Sequence, residues 1–227
     1  TTKMRGVTAN TKDLIEALYI ELLDALNSHF QHTPYLLGGS PCIGDFGLLA
    51  PLYGHLARDP HPAALMKKRA PGVYRWVERM NRANQDAQEY FHCDTDFFQK
   101  NEIPETLIAV LRVLSQDFIP ETVASAKCLN VWLSEQNPKT GSPAVFQLGT
   151  SPLGNVEFQV RNRLIKAAIV PYRHFQLQRI HQIFDEVETK VQMQIKQILK
   201  SCGMADLLNI RLNRPIGRRD NLEVWLD

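Results

Sequence analysis

The sequence lacks several features that would assign a class of protein at once. No apolar run approaches the roughly 18 residues of a membrane span, and the longest candidate, around Leu107 to Leu114, is interrupted by Arg112. The four cysteines stand far apart, without paired spacing, which favours a reduced, cytoplasmic setting. Nucleophile-elbow, Walker, zinc-protease and Cys-x-x-Cys motifs are all missing. We therefore do not expect a self-contained active site.

Net charge is also small, at +2 over 227 residues, but it is unevenly placed. Residues 161–219 carry twelve lysines and arginines against four acidic residues. Such a basic segment can indicate nucleic-acid or membrane binding. Here glutamines interleave the charges, as on a solvated helix face, and no DNA-binding motif accompanies them. We therefore expect neither a nucleic-acid partner nor a membrane partner.

What the sequence does contain is a strong helix start within residues 35–46, YLLGGSPCIGDF. The spacing predicts a capping box with Cys42 at the N-cap and Asp45 three positions later, whose carboxylate accepts from the Cys42 backbone N–H. Pro41 and Phe46 occupy the positions of a hydrophobic staple. Loss of the carboxylate in Asp45→Ala is expected to cost roughly 1–2 kcal/mol. These four residues are the predicted structural site.

Helical periodicity predicts a mainly α protein. A first helix opens near Asn10, and Pro71 starts a helix that buries Trp76. Between them, a helix from Ile43 to about Ala57 is apolar nearly all round, so it is expected to be the central buried helix.

The second half is predicted to be helical with a small hairpin. Pro104 and Pro120 are each expected to open a helix. Val145–Leu148 and Val156–Val160 flank a turn, which predicts a hairpin near 145–160. The remaining predicted elements are a helix past Pro171, a helix ending at Cys202–Gly203, and a strand or tail over Leu222–Leu226.

The stretch YLLGGSPCIGDFGLLAPLYGHLARDP and the later APGVYRWVERM resemble the C-terminal helical domain of the glutathione S-transferase superfamily. In that family a buried helix begins with a Ser/Thr-x-x-Asp capping box after a glycine-containing loop. The resemblance covers Met4 to Tyr90 and departs at Cys42, where the family has Ser or Thr. It implies that Asp45 holds the fold together and does not touch substrate. The second half bears a weaker resemblance to the long C-terminal extension of some glutathione-transferase-like proteins.

The resemblance implies a domain organisation. Residues 1–100 would form a glutathione-transferase C-terminal-like helical bundle that is missing its first helix, and residues 101–227 a helical extension with the hairpin. In this family glutathione is held mainly by an N-terminal thioredoxin-like domain, which the few residues before the first helix cannot form. We therefore expect the chain to be the C-terminal part of a longer polypeptide. Its expected partner is the thioredoxin-like domain of that polypeptide, and a homodimer is left open.

Two functions are compatible with this resemblance. In the first, the chain forms the wall of the hydrophobic substrate site of a parent transferase and supports the glutathione-binding domain. Glutathione would then be a substrate of the parent protein, and this chain by itself would be inactive. The alternative is a non-catalytic interaction or assembly module, because the same helical fold also serves as a docking domain.

A few residues invite a chemical role of their own. Cys42 lies at a helix N-terminus, which can lower the pKa of a thiol, but we favour a Ser-to-Cys replacement in a structural cap. His29 and His32 have the spacing to share a metal ion, yet no third ligand is in view.

The remaining histidines are weaker candidates. His92-Cys93-Asp94 contains ligand-type residues, but adjacent positions rarely converge on one ion. His174 and His181 are expected to satisfy local hydrogen bonds or to face water. No catalytic, cofactor-binding or metal-binding residue is therefore assigned.

Overall fold

The computed structural model describes residues 2–82, 89–93, 96–144 and 153–227, and helices dominate these ranges, which confirms the predicted class. The α-helices are α1 (Lys12–His29), α2 (Ile43–Pro51), α3 (Pro60–Arg69), α4 (Pro71–Met80), α5 (Glu105–Gln136), α6 (Pro171–Glu186) and α7 (Thr189–Ser201). Short 3-10 turns cover Thr2–Arg5, Gln99–Asn101 and Ala205–Leu208. Within the described ranges, every helix is too short or too polar to cross a membrane.

The chain divides into two compact units. The first unit is Glu16–Val113, and the second combines Thr1–Ile15 with Leu114–Asp227. The division therefore falls inside α1 and inside α5, two continuous helices. The domain boundary that we expected at residue 100 stays a prediction.

The first unit is organised around α2 and α4. Pro71 opens α4 as predicted, because its missing N–H lies in the first turn, where no intrahelical acceptor exists. Beyond Pro51, α2 continues as a π-helical turn over Leu52–Leu56, in which the Ala57 N–H reaches the Leu52 carbonyl at 2.7 Å.

The expectation that Pro104 and Pro120 open separate helices is wrong. Pro104 precedes α5, whereas Pro120 lies inside it, so one helix spans Glu105–Gln136. Proline removes one helical hydrogen bond and usually kinks or ends a helix. Here apolar side chains are buried on both sides of it, among them Val110, Ile119 and Leu129, and this packing outweighs the local cost.

Two antiparallel hairpins belong to the second unit. In the first, β1 (Asn155–Val160) pairs with β2 (Arg163–Ala168), and Phe158 lies opposite Ile165. The strand expected over Val156–Val160 is therefore present, with its partner downstream. The other strand that we expected, Val145–Leu148, lies outside the described residues.

In the second hairpin, β3 (Ile216–Arg219) pairs with β4 (Leu222–Trp225), which confirms the strand predicted in the tail. Asp220 and Asn221 both have positive φ, at 49° and 63°, as a tight two-residue hairpin turn requires. Trp225 is fully buried, with its ring centroid 5.9 Å from that of Trp132.

Candidate functional site

The N-terminus of α2 is held by one buried carboxylate. Asp45 is fully buried, and its Oδ1 accepts hydrogen bonds from the Leu36 backbone N–H at 3.1 Å and from the Trp76 indole N–H at 3.0 Å. Its Oδ2 accepts from the Cys42 backbone N–H at 2.9 Å. One side chain thus connects the loop before α2, the first turn of α2 and the middle of α4. A buried charge is tolerated when several donors face it, as they do here.

Aromatic packing and a neutral histidine surround this carboxylate. The rings of Phe30 and Trp76 stack with their centroids 5.1 Å apart. His29 is fully buried, with Nδ1 2.8 Å from the Thr106 hydroxyl and Nε2 3.3 Å from the Tyr35 carbonyl. Because a carbonyl only accepts, Nε2 carries the proton and Nδ1 accepts from the threonine. Burial lowers the pKa of His29, so this imidazole stays neutral and acts as a structural link.

Cys42 precedes the first residue of α2 and is half-buried. Burial raises the pKa of its thiol, and the nearby Asp45 carboxylate raises it further. The backbone N–H groups of Gly44 and Asp45 lower that pKa but do not offset the burial. A reactive thiolate is therefore disfavoured, and Cys42 retains its thiol proton at neutral pH.

The opposite side of α2 is open to solvent. Ile43 is 91% exposed and Phe46 is 58% exposed. The expectation of a helix buried on all sides is therefore wrong, because in α2 itself only Asp45 is buried, followed by Leu52 in the next turn. With Phe46 turned outward, the staple between Pro41 and Phe46 stays a prediction.

We call this exposed side the α2 outer face and define it by Ile43, Phe46, Gly47, Ala50 and Gly54. These residues recur at helical spacing and include no charged side chain. A Cβ added at Gly47 or Gly54 would meet no atom within 4 Å. The centre of the face is therefore flat, and another element can approach the helix backbone closely there. Chemically, the face can bury apolar surface but offers no acid, base or metal ligand.

Sequence reasoning missed Arg79, which is buried in α4. Its guanidinium donates to the Pro34 carbonyl at 2.6 Å and to Glu89 at 2.7 Å. It also lies over the rings of Tyr35 and Tyr90, at 5.2 and 5.3 Å from their centroids. This role is not readable from the local pattern, because a basic residue on a helix is usually solvated.

The candidate metal ligands do not converge in the described ranges. The His29 side chain is buried and both of its ring nitrogens are hydrogen-bonded, whereas His32 is exposed. His32, His92 and Cys93 line one cavity of about 460 Å³, and Asp94 lies outside the described residues. Across those ranges, no group of three or more His, Cys, Asp or Glu side chains is arranged to hold an ion.

His174 and His181 lie on the buried side of α6. His174 Nε2 is 2.9 Å from the Ser125 hydroxyl, and His181 Nε2 donates to the Leu207 carbonyl at 2.7 Å. Burial lowers the pKa of both imidazoles, that of His174 to about 4. Both therefore make local hydrogen bonds in the neutral form.

Comparison with known proteins bears on the first part of the chain. Residues 9–79 match the family model described as "Glutathione S-transferase, C-terminal domain". The match contains α1, α2, α3 and nearly all of α4, including the whole Asp45 network, and supports a C-terminal domain of that superfamily here. Searches of curated proteins and of solved structures found no match to the chain.

Proposed function

We propose that the glutathione S-transferase-like segment, residues 9–79, is the helical half of a transferase-like protein. In this proposal the α2 outer face packs against a thioredoxin-like, glutathione-binding domain and forms a wall of the apolar substrate site. The observation that carries the proposal is an exposed, uncharged apolar helix face directly opposite a buried structural carboxylate.

The energetics of the α2 outer face support docking. Covering one large apolar side chain stabilises a complex by about 1.5–3 kcal/mol, and Ile43 and Phe46 are both available. Gly47 and Ala50 between them leave room for a second backbone or for a flat apolar group. The Asp45 hydrogen bonds fix the direction of α2, so the face is preorganised and docking costs little ordering entropy.

The chemistry assigned to this segment is positioning. Transfer to an electrophile requires a thiolate, and in the proposal the thioredoxin-like domain provides the group that lowers the pKa of the glutathione thiol. The α2 outer face would hold the apolar electrophile near that thiol. It would therefore determine which electrophile binds and would leave thiol activation to the other domain.

Calorimetry with two probes tests this assignment. Glutathione alone is expected to show no defined site on this chain, whereas S-hexylglutathione should bind weakly through its alkyl group. Phe46→Asp should abolish the S-hexylglutathione signal. Leu164→Asp, at a 63% exposed position on β2, serves as the matched control and should leave the signal unchanged. Micromolar binding of glutathione itself, or equal binding by Phe46→Asp, would contradict the proposal.

The alternative, a non-catalytic interaction module, uses the same face. An apolar patch without titratable groups can dock a protein as well as line a substrate site. The two functions differ in the ligand, because an assembly module has no need to bind an alkylated glutathione. Absence of S-hexylglutathione binding to the wild-type chain would favour the alternative.

A further inference from the structure

Helix α6, in the second unit, exposes a second apolar stripe. Tyr172, Ile180 and Ile183 are 46%, 55% and 65% exposed. With half-buried Gln176 they recur every three or four residues, so they lie along one side of the helix. Exposed apolar side chains aligned in this way are typical of a docking surface.

Two exposed charges share this side of the helix. Arg179 and Glu186 flank Ile183 in the sequence, at spacings of four and three residues, so they belong to the same stripe. Arg179 donates to Gln176 on its own helix at 3.4 Å, a long contact that leaves the guanidinium able to reorient. We call Tyr172, Arg179, Ile180, Ile183 and Glu186 the α6 face.

The charge order along the α6 face is self-complementary. A base precedes the central isoleucine and an acid follows it, so two antiparallel copies of the helix bring Arg179 of each opposite Glu186 of the other. The two-fold axis then passes beside Ile183, and the isoleucines of both copies pack between two ion pairs. An isologous interface requires this kind of self-matching surface, and a parallel arrangement would instead oppose like charges.

The inner side of α6 makes this face rigid. Pro171, His174, Leu177 and His181 are buried. The hydrogen bond between His174 and Ser125 attaches α6 to α5, and the hydrogen bond from His181 to the Leu207 carbonyl attaches it to the turn at Ala205–Leu208. A helix held along its length presents its outer side chains with little entropy left to lose on binding.

We propose that the α6 face is a homodimer interface, in which two copies of this chain pair their α6 helices antiparallel through Ile180 and Ile183, with Arg179 of each bound to Glu186 of the other. This proposal goes beyond the substrate-site function, and it rests on different residues in the other unit. Because one helix face is small compared with the roughly 800 Å² per partner of a stable interface, the dimer is expected to be reversible and concentration-dependent.

Sedimentation velocity over a concentration series tests the proposal. The average mass of the wild-type chain should rise toward twice the 25.9 kDa of the monomer. Ile183→Glu should weaken the dimer at least tenfold, whereas Leu164→Glu, a similarly exposed position on β2, should not. Circular dichroism of both variants checks that the fold is kept. A wild-type chain that stays monomeric, or a dimer that Ile183→Glu leaves intact, would overturn the proposal.

A charge exchange separates this interface from other dimers. Arg179→Glu and Glu186→Arg should each dissociate the homodimer, since each places like charges opposite one another. An equimolar mixture of the two variants should dimerise again, because every pair in the mixed dimer then joins an acid to a base. The double variant R179E/E186R should also recover the homodimer. Failure of both combinations to restore association would show that these charges do not meet across a two-fold axis.

Discussion

Helices α2 and α6 each carry a buried polar side chain on one side and exposed apolar side chains on the other, but they differ in both respects. In α2 the buried group is the Asp45 carboxylate with three donors, whereas α6 buries two neutral imidazoles, His174 beside a hydroxyl and His181 bound to a backbone carbonyl. The α2 outer face is uncharged and contains glycine, whereas the α6 face carries Arg179 and Glu186.

This difference indicates two kinds of docking. An uncharged face with small residues at its centre suits close, lasting contact with another apolar surface. Charges that flank an apolar centre instead select the partner and its orientation, and they make association reversible and sensitive to salt. The inner sides serve the same purpose in both helices, since each polar group fixes the direction in which the outer side faces.

The largest expected effect comes from removing the inner carboxylate of α2. Asp45→Ala leaves three donors without their acceptor, at the Leu36 and Cys42 backbone N–H groups and at the Trp76 indole. An unsatisfied buried donor costs about 1–3 kcal/mol, so we expect the free energy of unfolding to fall by about 3–5 kcal/mol. This loss of stability exceeds the roughly 1–2 kcal/mol expected from the capping box alone. Urea denaturation measures it, with isosteric Asp45→Asn as an intermediate control, and a loss below about 1 kcal/mol would contradict the role given to Asp45.

Acid should destabilise the protein through His174, on the inner side of α6. Burial, with a smaller contribution from Arg173, lowers the pKa of His174 from 6.5 to about 4 in the folded protein. The unfolded chain therefore binds more protons between those two values, and stability decreases as the pH falls from 6.5 to 4. The shift corresponds to a loss of roughly 3 kcal/mol by about pH 4.

Denaturation at a series of pH values tests this prediction, with His174→Gln as the comparison. The variant should be less stable at neutral pH but should lose less stability than the wild type between pH 6.5 and 4. Parallel pH profiles for the two proteins would show that His174 does not titrate in this way.

The features that could be predicted from the sequence are those that depend only on neighbouring residues. The spacing of Cys42 and Asp45 marked the start of α2, and Pro71 marked the start of α4, because capping and proline geometry depend on adjacent residues only. Exposure of Ile43 and Phe46 was not predictable, because an apolar helix side has the same pattern whether its own chain or a partner covers it. The helix start expected at Pro120 was wrong for a related reason, since packing against residues distant in the sequence keeps α5 continuous through this proline. β3 was missed although Asp220-Asn221 is a good signal for a tight hairpin turn.

Glycine-to-alanine substitutions on the two sides of α2 should have smaller, and different, effects on stability. Gly47 lies on the outer face, where an added methyl group meets nothing, so Gly47→Ala should stabilise this chain by about 0.5–1 kcal/mol through helix propensity. Gly44 is the matched control, because a Cβ there would lie 3.1 Å from the Leu36 side chain and the gain should be lost. Thermal unfolding compares the two. If Gly47→Ala also weakens S-hexylglutathione binding, the small residue serves docking at a cost in stability.

The smallest expected effect is at Cys42. A serine hydroxyl accepts a hydrogen bond from the first turn better than a thiol does, and the Asp45 carboxylate still accepts from the backbone N–H of residue 42. Cys42→Ser should therefore change the free energy of unfolding by no more than about 0.5 kcal/mol, in the stabilising direction. Because burial raises the pKa of the thiol, alkylation of Cys42 by iodoacetamide should also be slower than that of exposed Cys128 in the same chain. Unfolding of Cys42→Ser, or faster modification of Cys42 than of Cys128, would instead assign this thiol a role of its own.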